Sequence, residues 1–146
     1  MFKLTDQPIQ IDELVSFVTH AKSGAIVTFI GTTRDNNEGR QVLALSYEAY
    51  AGMAEKELER VGHEARERWN IEKIAIVHRV GRVDIGQASV AIAVSSAHRS
   101  DAFEACRFAI DEIKRSVPIW KKELFEGGEL WIGTQSGQRL ESYPPK

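Results

Sequence analysis

The sequence predicts an α+β domain with a largely antiparallel sheet and three main helices, and three observations predict it. Three stretches repeat apolar residues at helical spacing, and several short stretches between them are rich in β-branched residues. The two kinds of segment follow neither an internal repeat nor a regular βαβαβα alternation, which argues against a parallel doubly wound sheet. At 146 residues the chain is about one domain long, and 1–146 reads as a single domain able to bury its own core.

Ile11 to Lys22 places Ile11, Leu14, Val15 and Val18 on one helical face, with Asp12 and Glu13 in the first turn, where the helix dipole favours acids. This helix is expected to end at Gly24. Ala25 to Thr32 reads as a central strand, TRDNNEGRQ as a polar loop, and Val42 to Tyr50 as a second strand in which Leu43, Leu45, Tyr47 and Ala49 alternate with less apolar neighbours. Met53 to Trp69 is charged on one side and sets Met53, Leu58, Val61, Ala65 and Trp69 on the other, as a helix over a sheet should. Lys73 to Gly81 and Ala88 to Ser96 are strands joined by the turn-bearing GRVDIGQ. The third helix runs from about Ser100 or Asp101 to Ser116, with Phe103, Cys106, Ile110 and Ile113 on one face. It stops near Val117 because Pro118 has no amide donor and pushes its predecessor out of the helical region. Ile119 to Leu124 and Glu129 to Gly133 are short strands around EGG, and the tail from about 136 to 146 reads as loosely held.

Hydrophobic residues at 42% and charged residues at 27% fit a globular protein and are too apolar for a disordered one. A net charge of −2 and a pI near 6.1 provide no global positive field, which argues against a nucleic-acid coat or an anionic membrane surface as partner. AIVTFIG is far shorter than the roughly 20 residues of a membrane span. The single Cys106 cannot form an internal disulfide and the N-terminus lacks the apolar run of a secretory signal, so a reducing, cytoplasmic setting is expected. His20, His63, His78 and His98 are scattered without partners at ligand spacing, which argues against a metal site. No GxGxxG, GxxxxGK[ST] or GxSxG is present, and Cys106 suits a buried, inert thiol better than a nucleophile.

Three polar stretches remain as candidates for chemistry. SSAHRSDAFE passes from a strand exit into a helix start, where free backbone amides bind anions and where His98 and Arg99 add donors; the competing view has Ser100 or Asp101 capping the helix beside two solvated side chains. GTTRDNNEGR leaves a buried strand and presents Arg34, or is a plain polar hairpin loop. IKRSVPIWKKE reverses the chain at Pro118, so that Lys114 and Lys121 can meet at one side of a pocket. Otherwise Lys114 is a surface partner of Asp111, and Lys121 guards an edge strand.

The ordered set GAIVTFIGTTRDNNEGR, LSYEAYAGMAEKEL, IVHRVGRVDIGQ, SSAHRSDAFEACRFAIDEIKRSVPIWKKE and ELWIG resembles the catalytic (large) subunits of molybdopterin synthase over nearly the whole chain. The resemblance implies an α/β hammerhead with an additional small antiparallel sheet, and a sulfurtransferase that turns cyclic pyranopterin monophosphate into molybdopterin by inserting two dithiolene sulfurs. The sulfur would arrive as a thiocarboxylate on the C-terminal Gly-Gly of a small ubiquitin-like subunit, with no metal or organic cofactor. It implies a homodimer within a heterotetramer, for which the apolar strands IAIVHRVG and VAIAVSS read as support. By motif, Thr32, Thr33, Arg34, His98, Arg99, Lys114, Lys121, Lys122 and Glu123 form the substrate pocket, with Lys114 the main catalytic residue and Lys121 its assistant. Where many members carry an arginine after the last tryptophan, this chain has Gln135, and Arg139 is the candidate replacement. A non-catalytic phospholigand-binding module would use the same cations and is the alternative.

Overall fold

The computed structural model describes residues 1–50 and 52–134, in the order β1 (Phe2–Thr5), α1 (Ile11–Val18), β2 (Ala25–Thr32), β3 (Asn36–Asn37), β4 (Arg40–Gln41), β5 (Ala44–Ala49), α2 (Met53–Arg68), β6 (Ile71–Arg79), β7 (Gly81–Asp84), β8 (Ala88–Ser96), α3 (Arg99–Ser116), β9 (Ile119–Phe125) and β10 (Gly128–Thr134). The expected tail, Gln135 and Arg139 lie outside the described residues.

β8 is buried on both faces from Ser89 to Ser96, so both faces of its sheet must be covered. It pairs antiparallel with β2 and β6 in a sheet of order β1-β6-β8-β2, in which β1 and β6 form the one parallel pair. On one face, α1 packs Leu14 and Val18 against Ala75, Val77, Ala91 and Ala93. On the other, α2 and α3 bury Leu58, Val61, Ile110 and Ile113 against Ile74, Ile76, Ile92 and Val94. Each fully buried Leu, Ile or Val here contributes about 1.5–3 kcal/mol of transfer free energy. Ala102, Ala105 and Ala109 are buried on α3, and their small side chains let the helix lie close to its neighbours.

A second, wholly antiparallel sheet has the order β10-β9-β5-β7, and β3 and β4 form a separate two-residue hairpin. The α+β class and the three helices are as the sequence predicts, and the additional small antiparallel sheet is as the resemblance implies. Between β6 and β7 the chain changes sheets through Val80 and Gly81, and Gly81 takes a φ of 81° that side-chain-bearing residues rarely adopt.

Several boundaries differ from expectation for identifiable reasons. α1 stops at Val18 rather than near Lys22, because Thr19 turns its hydroxyl back onto the Val15 carbonyl at 2.7 Å and a tight turn from His20 to Ser23 follows. α3 begins at Arg99 with His98 at the N-cap, so neither Ser100 nor Asp101 caps it. β1 and β7 are strands only because β6 and β5 supply their partners. Phe2 of β1 packs so closely on α2 that a Cβ at Gly62 would fall 2.2 Å from its ring. The apolar β6 and β8, expected to support a dimer, are instead interior strands of the sheet. Apolar surface is left open on edge strand β2, where Ile26 and Ile30 are each 40% exposed, and Phe17, Leu43, Met53, Ile85 and Phe103 are exposed elsewhere. No helix among the described residues is long and apolar enough to cross a membrane.

Cys106 is buried on α3, and burial pushes its thiol from an ordinary 9.0 up to about 11. That difference leaves about a hundredfold less thiolate near neutral pH than a free cysteine has. A thiol reagent is therefore expected to label the folded protein far more slowly than the protein in denaturant; equal rates would show that Cys106 is accessible.

Candidate active site

Alternation along β9 decides which of its side chains can share a site. Lys121 and Glu123 are two residues apart and so project from the same face, opposite Tyr47 and Leu45 of β5 in the register. They open into a cavity of about 330 Å³ between the two sheets. Gly31 and Thr32 of β2, Ser89 and Val90 of β8, and Ile132 of β10 contribute to its walls. Arg34 and the segment Asn36 to Glu38 line a further side, and Lys114 enters from the last turn of α3.

The end of α3 is held in place from two directions. Arg60 of α2 donates to Ser116 at 2.9 Å and pairs with Glu112 at 3.5 Å, tying the two helices together at the positions two residues either side of Lys114. The Val117 amide still donates to the Ile113 carbonyl, and after Pro118 the chain turns directly into β9. The reversal brings Lys121 back beside Lys114, as the sequence predicts. Asp111 pairs instead with Arg107, at 3.9 Å.

Both lysines are less basic than usual. Burial of the Lys121 ammonium, then the Lys114 charge, pulls its pKa below the ordinary 10.5, with Arg34 adding to the effect and Glu123 opposing it. Lys114 keeps solvent on one side, yet the surrounding protein and then the Arg34 guanidinium lower it too, against a weaker pull from Asp111. Arg34 thus disfavours the charge of both lysines, and Lys114 disfavours that of Lys121. An anion would restore it.

The remaining expected residues are placed differently. Lys122 projects from the opposite face of β9, where it pairs with Glu129 at 3.1 Å and lies over the Trp131 ring, so the expectation that it completes the pocket is corrected by the period-two geometry of the strand. Thr33 is buried beside the cavity with its amide and carbonyl bonded to Gln87 and Gly86, and only Thr32 lines the wall. Glu123 does line the cavity, but its two oxygens are taken by Arg40 at 2.7 Å and by Asn37.

His98 and Arg99 are exposed at the other end of the sheet, around a separate hollow with Gly24, Ala25 and Ala97. Arg99 opens α3 and Lys114 lies in its last turn, about 22 Å further along the axis. One chain therefore does not bring these two groups together. Sequence reasoning missed Tyr47 and Ser89, which line the cavity; burial raises the Tyr47 phenol against a smaller opposing effect of Ser89, whose hydroxyl donates to the Gly31 carbonyl at 3.3 Å. Tyr47 also meets His78 edge-on with ring centroids 5.0 Å apart. Among the described residues no three His, Cys, Asp or Glu side chains converge as a metal site.

Residues 4–116 match the model of the family described as MoaE protein. The chain is 50% identical over 143 residues to the molybdopterin synthase catalytic subunit of Halalkalibacterium halodurans, spanning 98% of this chain and 90% of that relative. It is 44% identical over 135 residues to the molybdopterin synthase catalytic subunit of Homo sapiens, spanning 92% of this chain and 72% of that relative. The crystal structure of molybdopterin synthase from Staphylococcus aureus is similar with a TM-score of 0.88 at 44% identity, covering 90% of this chain and 96% of that one.

The mutual effect of the two lysines is directly measurable. In Lys114→Met, the titration of Lys121, followed by carbon NMR at Cε, is expected to shift upward yet stay below 10.5, because burial, the larger cause, remains. An unmoved midpoint would show that the two ammonium groups do not share the cavity.

Proposed function

This chain belongs to the MoaE protein family, and on that premise we propose that it is the catalytic subunit of a molybdopterin synthase, a sulfurtransferase of molybdenum cofactor biosynthesis. The observation that carries this reading is the meeting of Lys114, Lys121 and Arg34 at one cavity, two of them with lowered basicity. A volume of about 330 Å³ suits a small phosphorylated heterocycle, and the substrate in this reading is cyclic pyranopterin monophosphate. The relatives' designation as a catalytic subunit supports a second subunit as partner. In this reading the partner is a small ubiquitin-like protein whose C-terminal Gly-Gly thiocarboxylate enters the cavity and supplies the sulfur, so that no metal or organic cofactor is called for. A cytoplasmic setting belongs to the same reading and rests on the lone, buried thiol.

Each side chain then has a physical task. Arg34 holds substrate phosphate by charge-assisted hydrogen bonds. Lys114, made less basic by burial and by Arg34, gives up or takes a proton and stabilises the charge that develops as the acyl carbon of the thiocarboxylate is attacked. Lys121 assists from the adjacent strand. His98 and Arg99 serve the substrate only if a second copy supplies them, since about 22 Å of helix separates Arg99 from Lys114 within one chain. The open edge of β2 supports this, because a two-fold contact along it would lay the Ala25 end of one copy beside the Thr32 end of the other.

In an assay with thiocarboxylated small subunit and the cyclic precursor, Lys114→Ala is expected to lower turnover by about 10²- to 10⁴-fold. Lys114→Arg should stay low, because it keeps the charge but cannot release a proton. The fold should survive, since the lost dipole interaction costs only about 0.3–1 kcal/mol. Near-normal turnover would remove Lys114 from the chemistry, and ligand binding without dithiolene product in the wild type would leave a phospholigand-binding module.

Mixing the inactive variants Lys114→Ala and Arg99→Ala tests the shared site. Half of the randomly re-formed dimers carry one intact site of two, so roughly a quarter of wild-type activity should return. No recovery, with subunit exchange verified by mass, would place both residues in one chain's site.

A further inference from the structure

Glu123 is a carboxylate at 2% exposure, and burying such a charge is costly unless it is paired. Both of its partners come from one short hairpin. Arg40 donates from Nη2 to Oε1 at 2.7 Å, and Asn37 donates from Nδ2 to Oε2. The two residues face each other across β3 and β4, whose two-residue turn places Glu38 at φ 54° and Gly39 at φ 78°. Such a turn matches the strand twist but forces a glutamate into the left-handed region, which is unfavourable unless the surroundings enforce it. The enforcement comes from the base of the hairpin, where the Val42 amide donates to Asp35 and the Leu43 amide to Leu124, and from the Glu123 clamp above it. Asn36, Asn37 and Glu38 form part of the cavity wall, so the carboxylate holds this wall in place.

The same carboxylate has a competing partner. Lys121 projects from the same face of β9 one alternation away, and the Glu123 charge already acts on it. Arg40 and Asn37 each bond one carboxylate oxygen, so the Glu123 charge reaches Lys121 only as a weaker counterweight to its burial and to Lys114.

We propose that Arg40 and Asn37 are positioning residues for the sulfur transfer, acting through Glu123: they fix the Asn36–Gln41 hairpin as a wall of the cavity and keep the Glu123 carboxylate from capturing Lys121. The inference rests on the reading of this cavity as the transfer site. Neither residue needs to touch a reacting atom. Their two effects are separable, because a loosened wall weakens substrate binding whereas a captured Lys121 slows the chemical step.

The test uses the full chain with its thiocarboxylated partner and the cyclic precursor. Arg40→Ala is expected to raise KM and lower kcat, with a combined loss on the order of a hundredfold in kcat/KM. Arg40→Lys, which keeps a cation beside Glu123, should restore most of it. Adding Glu123→Gln to Arg40→Ala should recover kcat while KM stays high, because the stray charge is removed but the wall stays loose. Hydrogen exchange on the free protein should show faster exchange in Arg40→Ala confined to residues 36–43. Unchanged kinetics in Arg40→Ala, or unchanged exchange in the hairpin, would overturn the clamp; a double variant with kcat no better than Arg40→Ala would overturn the capture of Lys121. Absence of product with the wild type would defeat the functional reading alone, since the exchange measurement does not depend on it.

Discussion

Everything in this architecture follows from a strand that has no exposed face. Because β8 is buried on both sides, its sheet must be sandwiched, with α1 on one side and α2 and α3 on the other. Helix α3 then extends from one end of the sheet to the other, so Arg99 and Lys114 near its two termini are held apart by the same packing that stabilises them. The second sheet hangs from the first through the Val80–Gly81 crossing, and the space between the sheets is the cavity.

The electrostatics of that cavity depend on what is withheld as much as on what is present. A buried carboxylate beside two lysines would ordinarily neutralise one of them. Here its hydrogen-bonding capacity is directed to the hairpin, while the lysines face one another and Arg34. An empty site of this kind carries a standing repulsion that a bound anion relieves, so binding energy and proton affinity are coupled. By the same electrostatics, an anion in the cavity makes the lysines more basic and its departure makes them less so.

Much of this was legible in the sequence, and the misses share a cause. Helical periodicity and the Pro118 stop placed Lys114 and Lys121 at a reversal, and both facts are local. Strand β1 was not legible because four residues gain strand character only from β6, more than 60 positions away. Lys122 was carried over by motif with Lys121 and Glu123, although adjacent residues in a strand face opposite ways. Asn37 and Arg40 lay within a stretch already singled out, but nothing local announced their shared partner, 86 and 83 residues on. The separation of His98 and Arg99 from the lysines was readable in principle from helix length, which a motif-by-motif comparison does not weigh.

The length of α3 also sets an angular phase. Arg99 and Lys114 are fifteen positions apart, which at 3.6 residues per turn is about four full turns plus a remainder of roughly 60°. The helix therefore works as a keyed shaft, presenting one group to each end of the sheet at a set rotation as well as a set distance. A single inserted residue would lengthen it by only about 1.5 Å but would swing Lys114 by about 100°, away from the cavity. Loops around this molecule can lengthen at modest cost. The shaft tolerates substitution on its surface but not a change in count.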